Sequence, residues 1–161
     1  MPQKYLTVDG VATLVHHRGP TTLPGHPPST SQGAVVMCLH EAGDNGNCFG
    51  GLLDALAPSH SPVAFDRPGH GRSGSLDSAG SVPAMVAQLR GLASGFGLDR
   101  PVLVGEGLGA AVALEAAVAD PAWPRALVLT GGAAAHFAGL DATVAELRAI
   151  TSGKARRAFD N

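Results

Sequence analysis

Three short stretches hold the side chains and glycines that chemistry could use. They are His40-Glu41-Ala42-Gly43-Asp44-Asn45-Gly46, Asp66-Arg67-Pro68-Gly69-His70-Gly71-Arg72-Ser73 and Gly105-Glu106-Gly107-Leu108-Gly109. Carboxylates serve as nucleophiles or bases, and imidazoles as bases. A glycine-rich turn ahead of a helix aims backbone N–H groups at an anion. Each feature also has a plain structural reading. His40 as a base competes with an imidazole that closes a strand and bonds loop backbone. Glu106 as a carboxylate nucleophile competes with a partly buried or water-bridged carboxylate. His40, Glu41, Asp44 and Glu106 could surround a metal, but four such residues near one loop system arise often by chance, so no metal is assigned. Ser73 and Ser75 sit in a turn with no base beside them, which favours turn hydrogen bonding. Asp66 reads as a turn cap. His16 and His17, at the end of an edge hairpin, are expected to be exposed.

The elements that must position these residues follow from local pattern. Lys4 to Val8, Asp9-Gly10 and Val11 to His17 read as a hairpin, because Asp-Gly favours a two-residue turn. Residues 18–33 are Pro- and Gly-rich and form a loop. Ala34 to Leu39 is a continuous apolar run of the kind covered on both faces in a parallel sheet. Phe49 to Ala57 reads as a helix stopped by Pro58, and Pro62 to Phe65 as a strand. Ser81 caps a helix carrying Val82, Met85, Val86, Leu89 and Leu92 on one face. Pro101 to Val104 is a strand, Leu108 to Val118 a helix, Ala126 to Thr130 a strand and Gly139 to Ile150 a helix. Alternation after an initial hairpin predicts an α/β fold with a mostly parallel sheet. In such sheets ligands bind beyond the carboxyl ends of the strands, where all three stretches lie.

Composition narrows the function classes. The 161 residues carry a formal charge of -2, which gives no electrostatic case for nucleic acid. No apolar run is long enough to span a membrane. Residues 1–5 lack a signal-peptide layout, and Cys38 and Cys48 are not at a metal or disulfide spacing. A reduced, cytoplasmic protein without cofactor is the expectation, and a small-molecule ligand remains compatible.

Taken together, the three stretches resemble the α/β-hydrolase superfamily, and its esterase-like bacterial members in particular. His40-Glu41-Ala42-Gly43 resembles the His-Gly oxyanion loop. Phe65 to Ser73 resembles the Asp-x-Pro-Gly-His-Gly-x-Ser stretch almost residue for residue. Val102 to Gly109 resembles the strand and nucleophile elbow, G-x-S-x-G. The resemblance implies hydrolysis of esters or similar small acyl substrates. It implies an oxyanion hole from the backbone N–H groups of Ala42 and Leu108, with Gly105, Glu106, Gly107, Gly109, His40 and Glu41 forming the elbow and cleft. Residues 1–132 would be a partial core and residues 133–161 the start of a lid.

The departures set the functional expectation. The nucleophile position is Gly107, which has no side chain to attack a carbonyl carbon. Glu41 stands where the family commonly has glycine. Two carboxylates, Glu41 and Glu106, would repel an anion in the hole unless one is protonated. No later strand carries the acid and base that the family places beyond its lid. The chain is therefore expected to be a truncated or degenerate relative, not a competent serine hydrolase. Activity with a complementing chain or through activated water is one alternative. An anion-binding module at the Gly-rich turn is another, and Gly105 to Ala110 also fits the dinucleotide pattern G-x-G-x-x-A. The acid expected after the next strand is missing there, where Leu129-Thr130-Gly131 stands. A sheet ending at Ala126–Thr130 would expose an apolar edge and invite self-association or a partner chain.

Overall fold

The computed structural model describes residues 2–20, 22–30, 32–75 and 80–131. The predicted last helix, Gly139 to Ile150, and the lid assignment to residues 133–161 lie outside the described residues.

Strands β1 (Gln3–Val8) and β2 (Val11–His17) form the hairpin, turned at Asp9-Gly10 with both residues at positive φ. Then come β3 (Val35–Leu39), a short 3-10 turn (Gly46–Phe49), α1 (Gly50–Leu56) and β4 (Ser61–Phe65). They are followed by α2 (Val82–Gly95), β5 (Val102–Glu106), α3 (Leu108–Ala119) and β6 (Ala126–Thr130). One six-stranded sheet runs in the order β1-β2-β4-β3-β5-β6. The hairpin is antiparallel, β2 pairs antiparallel with β4, and the remaining pairs are parallel. This is the mostly parallel α/β architecture read from the alternation.

Period-2 geometry divides β3 between two cores. Val36 and Cys38 face a cluster with Phe49, Leu53, Ala64 and Val104 beneath α1. Met37 and Leu39 face the larger cluster, with Leu89, Leu92, Leu103, Val112 and Trp123 beneath α2 and α3. Burial of side chains such as Leu39, Leu89 and Leu103, each fully enclosed, stabilises by about 1.5–3 kcal/mol apiece. Ser81 caps α2 by accepting from the Ala84 N–H, as its sequence position suggested.

One placement differs from the sequence reading. β2 is an interior strand, so His16 and His17 are buried, at 2% and 4% exposure, instead of lying on an edge. The hairpin pattern is local and carries no information about the second neighbour that β4 provides. β6 is mostly exposed at the edge of the described sheet, the apolar edge expected of Ala126–Thr130.

Candidate functional site

β3, β4 and β5 end side by side, which brings the three stretches together. Leu39 pairs with Gly105 across β3 and β5, and Cys38 pairs with Ala64 across β3 and β4. Gly109, in the first turn of α3, packs on the Leu39 and His40 carbonyls with no room for a side chain. That approach carries the start of α3 to the loop after β3.

His40 is fully buried and closes its strand. Its Nδ1–H donates to the Glu41 carbonyl at 2.7 Å, and its Nε2 accepts from the Arg67 backbone N–H at 3.0 Å. Both nitrogens are therefore used by the neutral ring. Desolvation pushes its pKa down to about 4, and neither nitrogen is free to act as a base. Arg67, also buried, donates from its guanidinium to the same Glu41 carbonyl at 3.0 Å. Its pKa is lowered by burial and raised by the nearby Glu41 charge. His70 stacks obliquely against His40, with ring centroids 5.2 Å apart, and bonds the Pro68 carbonyl. Asp66 is buried and accepts from His16 Nε2 at 2.7 Å and from the N–H groups of Gly46 and Arg72 at 2.9 Å each. Ser73 Oγ donates to the Asp66 carbonyl and accepts from the Leu14 N–H, which makes it a turn residue.

At the elbow, Gly107 is buried, with φ +54 and ψ -116. Its N–H donates to the Thr130 carbonyl at 3.0 Å, tying the turn to β6. Glu106, one position earlier, is exposed. The N–H groups of Ala42 and Leu108, assigned to an oxyanion hole by resemblance, do converge on one point. That point is occupied. Glu41 Oε1 accepts from Leu108 at 2.9 Å and, in a short bond, from Ala42. An atom at the Cβ position of residue 107 would overlap Oε2 and Cδ of the same carboxylate. Glu41 thus fills both the donor pair and the space of the missing side chain. The Leu108 and Ala42 N–H bonds hold its pKa below the ordinary carboxylate value, so it is ionised. The alternative of a protonated Glu41 is corrected on that ground. The signal available in the sequence was the pairing of an acid at position 41 with glycine at position 107. Nothing local to either position says that they meet.

Residues 23–161 match the alpha/beta hydrolase family. The chain belongs to that family. An uncharacterised protein of Mycobacterium tuberculosis is 32% identical over 97 residues, which cover 60% of this chain and 28% of that protein. The magnesium-chelatase 30 kDa subunit of Rhodobacter capsulatus is 30% identical over 116 residues, covering 71% of this chain and 40% of the subunit. Among solved structures, a thioesterase domain from the curacin biosynthetic pathway is 27% identical, with a TM-score of 0.67, covering 80% of this chain and 45% of that one. The chain therefore spans less than half the length of each of these three proteins. Among the described residues no group of three or more His, Cys, Asp or Glu side chains is placed to hold a metal ion, and no helix is long and apolar enough to cross a membrane.

Proposed function

We propose that this chain forms the oxyanion-loop and elbow part of a small-molecule hydrolase fold that does not act as a serine hydrolase. One observation carries the reading. Residue 107 is glycine, and the Glu41 carboxylate takes both backbone donors beside it. A serine mechanism needs a hydroxyl at the elbow and free donors for the acyl oxygen. Neither is available here. The thioesterase domain named above supports ester-like substrates for the fold. The chelatase subunit carries a name that is not a hydrolase's, which suits a family in which the scaffold outlives the serine chemistry. The test is a fluorophosphonate probe and a p-nitrophenyl ester panel on the purified chain. The expected result is no labelling and no turnover above buffer. Labelling of a serine in the site would overturn the reading.

An anion- or dinucleotide-binding role fits less well, because Glu41 already satisfies the donors that a phosphate would need. Melting shifts on adding carboxylates, phosphates or nucleotides would revive it. A second reading, a complementing or self-associating chain, is favoured by β6. Val128 and Leu129 are exposed at 49% and 41% along an edge. Concentration-dependent association in sedimentation is the expected outcome, and a monodisperse, cooperatively unfolding monomer counts against it. A reducing, cytoplasmic setting is proposed from the two free thiols, buried Cys38 and exposed Cys48.

A further inference from the structure

We infer that the cavity at the opposite end of the sheet from the elbow binds a small oxyanion, such as a sulfate, phosphate or carboxylate group, between Arg18 and the imidazoles of His17 and His60.

The loop between β2 and β3 builds this cavity. Gly19 packs on the Ser29 carbonyl and Gly33 on the Ser59 carbonyl, each with no room for a side chain. Ser61 Oγ donates to the Gln32 carbonyl at 2.7 Å and accepts from the Gln32 N–H at 3.0 Å. The loop is thereby pinned near both ends, beside the start of β4. The cavity has a volume of about 180 Å³, and its lining includes His17, Arg18, Ser29, Gln32, His60 and Ser61. That is more than a single water fills, and enough for a group of several heavy atoms. β4 begins at Ser61 and ends at Phe65, so its length lies between this cavity and the strand-end turns.

The lining is basic and holds no carboxylate among the described residues. Arg18 is fixed in place. Its guanidinium donates to the His17 carbonyl at 3.2 Å, to the Gly50 carbonyl at 3.1 Å and, through Nε, to the exposed Asp54. Three of its five N–H groups are used in this way, which leaves two without an acceptor among the described residues. His17 is buried, and its Nδ1 has no hydrogen-bond partner among the described residues. A buried polar atom without a partner is costly and marks a missing group. The charged and titratable groups that act on this ring are Lys4 on β1, Arg18, and His16 on β2. Lys4 is tied to the loop through Thr22 and the Leu23 carbonyl. The carboxylates of Asp54 and Asp66 are bound to Arg18 and His16 and do not line the cavity. Burial lowers the His17 pKa, a bond to the Gly19 backbone raises it, and the charges of Lys4, Arg18 and His16 lower it again. An oxyanion supplies what is absent. It gives Arg18 its acceptors, and its charge lets His17 take up a proton and donate from Nδ1.

The experiment titrates the full chain with sodium sulfate, and separately with sodium acetate, at an ionic strength held constant with chloride. The imidazole resonances of His17 and His60 are followed by ¹H–¹⁵N NMR. The expected result with either salt is a saturable shift of both rings, with the His17 nitrogens moving to imidazolium positions. Affinity should rise by up to about tenfold per pH unit between about pH 7.5 and about pH 5.5, because binding takes up a proton at His17. Arg18→Gln should weaken sulfate by about tenfold or more. His17→Gln, with unchanged circular dichroism, should take up one proton fewer on binding, which a role in packing alone would not alter. A melting shift would not tell this cavity from the elbow, whereas the resonances do. Shifts that do not saturate, binding that moves the Ala42 and Leu108 amides in place of the two rings, or an Arg18→Gln variant that binds as tightly as the parent would each overturn the inference.

Discussion

Two strand-end turns in this molecule are built alike and used differently. At the end of β4, Asp66 gathers the N–H groups of Gly46 and Arg72 and the ring of His16, and Gly71 leaves the space its carboxylate fills. Between the ends of β3 and β5, Glu41 gathers the N–H groups of Ala42 and Leu108, and Gly107 leaves the space its carboxylate fills. Both glycines sit at positive φ. The difference is saturation. Asp66 is 2% exposed and both of its oxygens are engaged. Glu41 is partly exposed, and one of its oxygens accepts nothing among the described residues. A buried, saturated carboxylate is part of the fold, whereas a half-satisfied one at a cleft keeps one oxygen open to what lies outside it.

The largest effect should come from removing the saturated acid. Asp66→Ala leaves His16 Nε2 and the Gly46 N–H without a partner in the interior, and the Arg72 N–H without its acceptor. That should destabilise by about 3–5 kcal/mol. Glu41→Ala returns its two N–H groups to solvent and should cost under about 1 kcal/mol. Urea unfolding of the two variants checks the pair. Equal losses would mean that the comparison between the turns is mistaken.

The next effect is on pH dependence. Desolvation holds His40 at about 4, below its ordinary value of 6.5. The unfolded chain therefore binds more protons between those limits. Stability is fully present above pH 6.5 and is lost as pH falls toward 4, by about 3 kcal/mol for this one group. His17, lowered chiefly by burial, adds in the same direction. His40→Gln keeps a donor for the Glu41 carbonyl and an acceptor for the Arg67 N–H but does not titrate. Its thermal midpoint should fall less between pH 7 and 5 than that of the parent chain. Parallel curves would show that the ring does not carry the dependence.

Much of this was legible without coordinates, and what was missed shares one cause. Asp9-Gly10, the apolar run through β3 and the Ser81 cap are signals contained within a few residues, and each element formed where its pattern lay. Gly107 was readable because the elbow is a short contiguous motif. The buried state of His16 was not, because it depends on β4 and on Asp66, 50 positions away. Nor was the seat of Glu41, which reaches 67 positions to the Leu108 N–H. Long-range polar contacts leave no periodicity. The expectation that Glu41 opposes an anion in the hole did not reveal how it does so, since the carboxylate is itself the anion that the donors hold.

A smaller effect separates two glycines within one turn. Gly71, at φ +53, has Asp66 Oδ2 and Cγ against the place of a Cβ, whereas Gly69, at φ +74, has open space. Alanine at either position incurs left-handed strain of about 1 kcal/mol. Gly71→Ala must also displace the Asp66 carboxylate and should lose about 2 kcal/mol or more. Denaturation midpoints that coincide would show that Asp66 does not depend on the gap at Gly71.

The smallest effect tests the same dependence at the other turn. Gly107→Ala introduces a methyl where Glu41 Oε2 now lies, so the carboxylate must leave the Leu108 and Ala42 N–H groups. The φ of +54 adds strain whatever becomes of Glu41, so stability is a poor reporter here. Titration is a clean one. The two N–H bonds hold the Glu41 pKa down, and the stability linked to it is present above the unfolded value and lost as pH falls through the folded one. With the bonds broken, the carboxyl ¹³C resonance of Glu41 should titrate at the ordinary carboxylate value, and the small linked term should vanish. The Asp66 resonance should not move, because its donors lie at the other turn. A Glu41 that still titrates low beside alanine would mean that the carboxylate needs no vacancy at residue 107, and the pairing of acid with glycine would lose its physical basis.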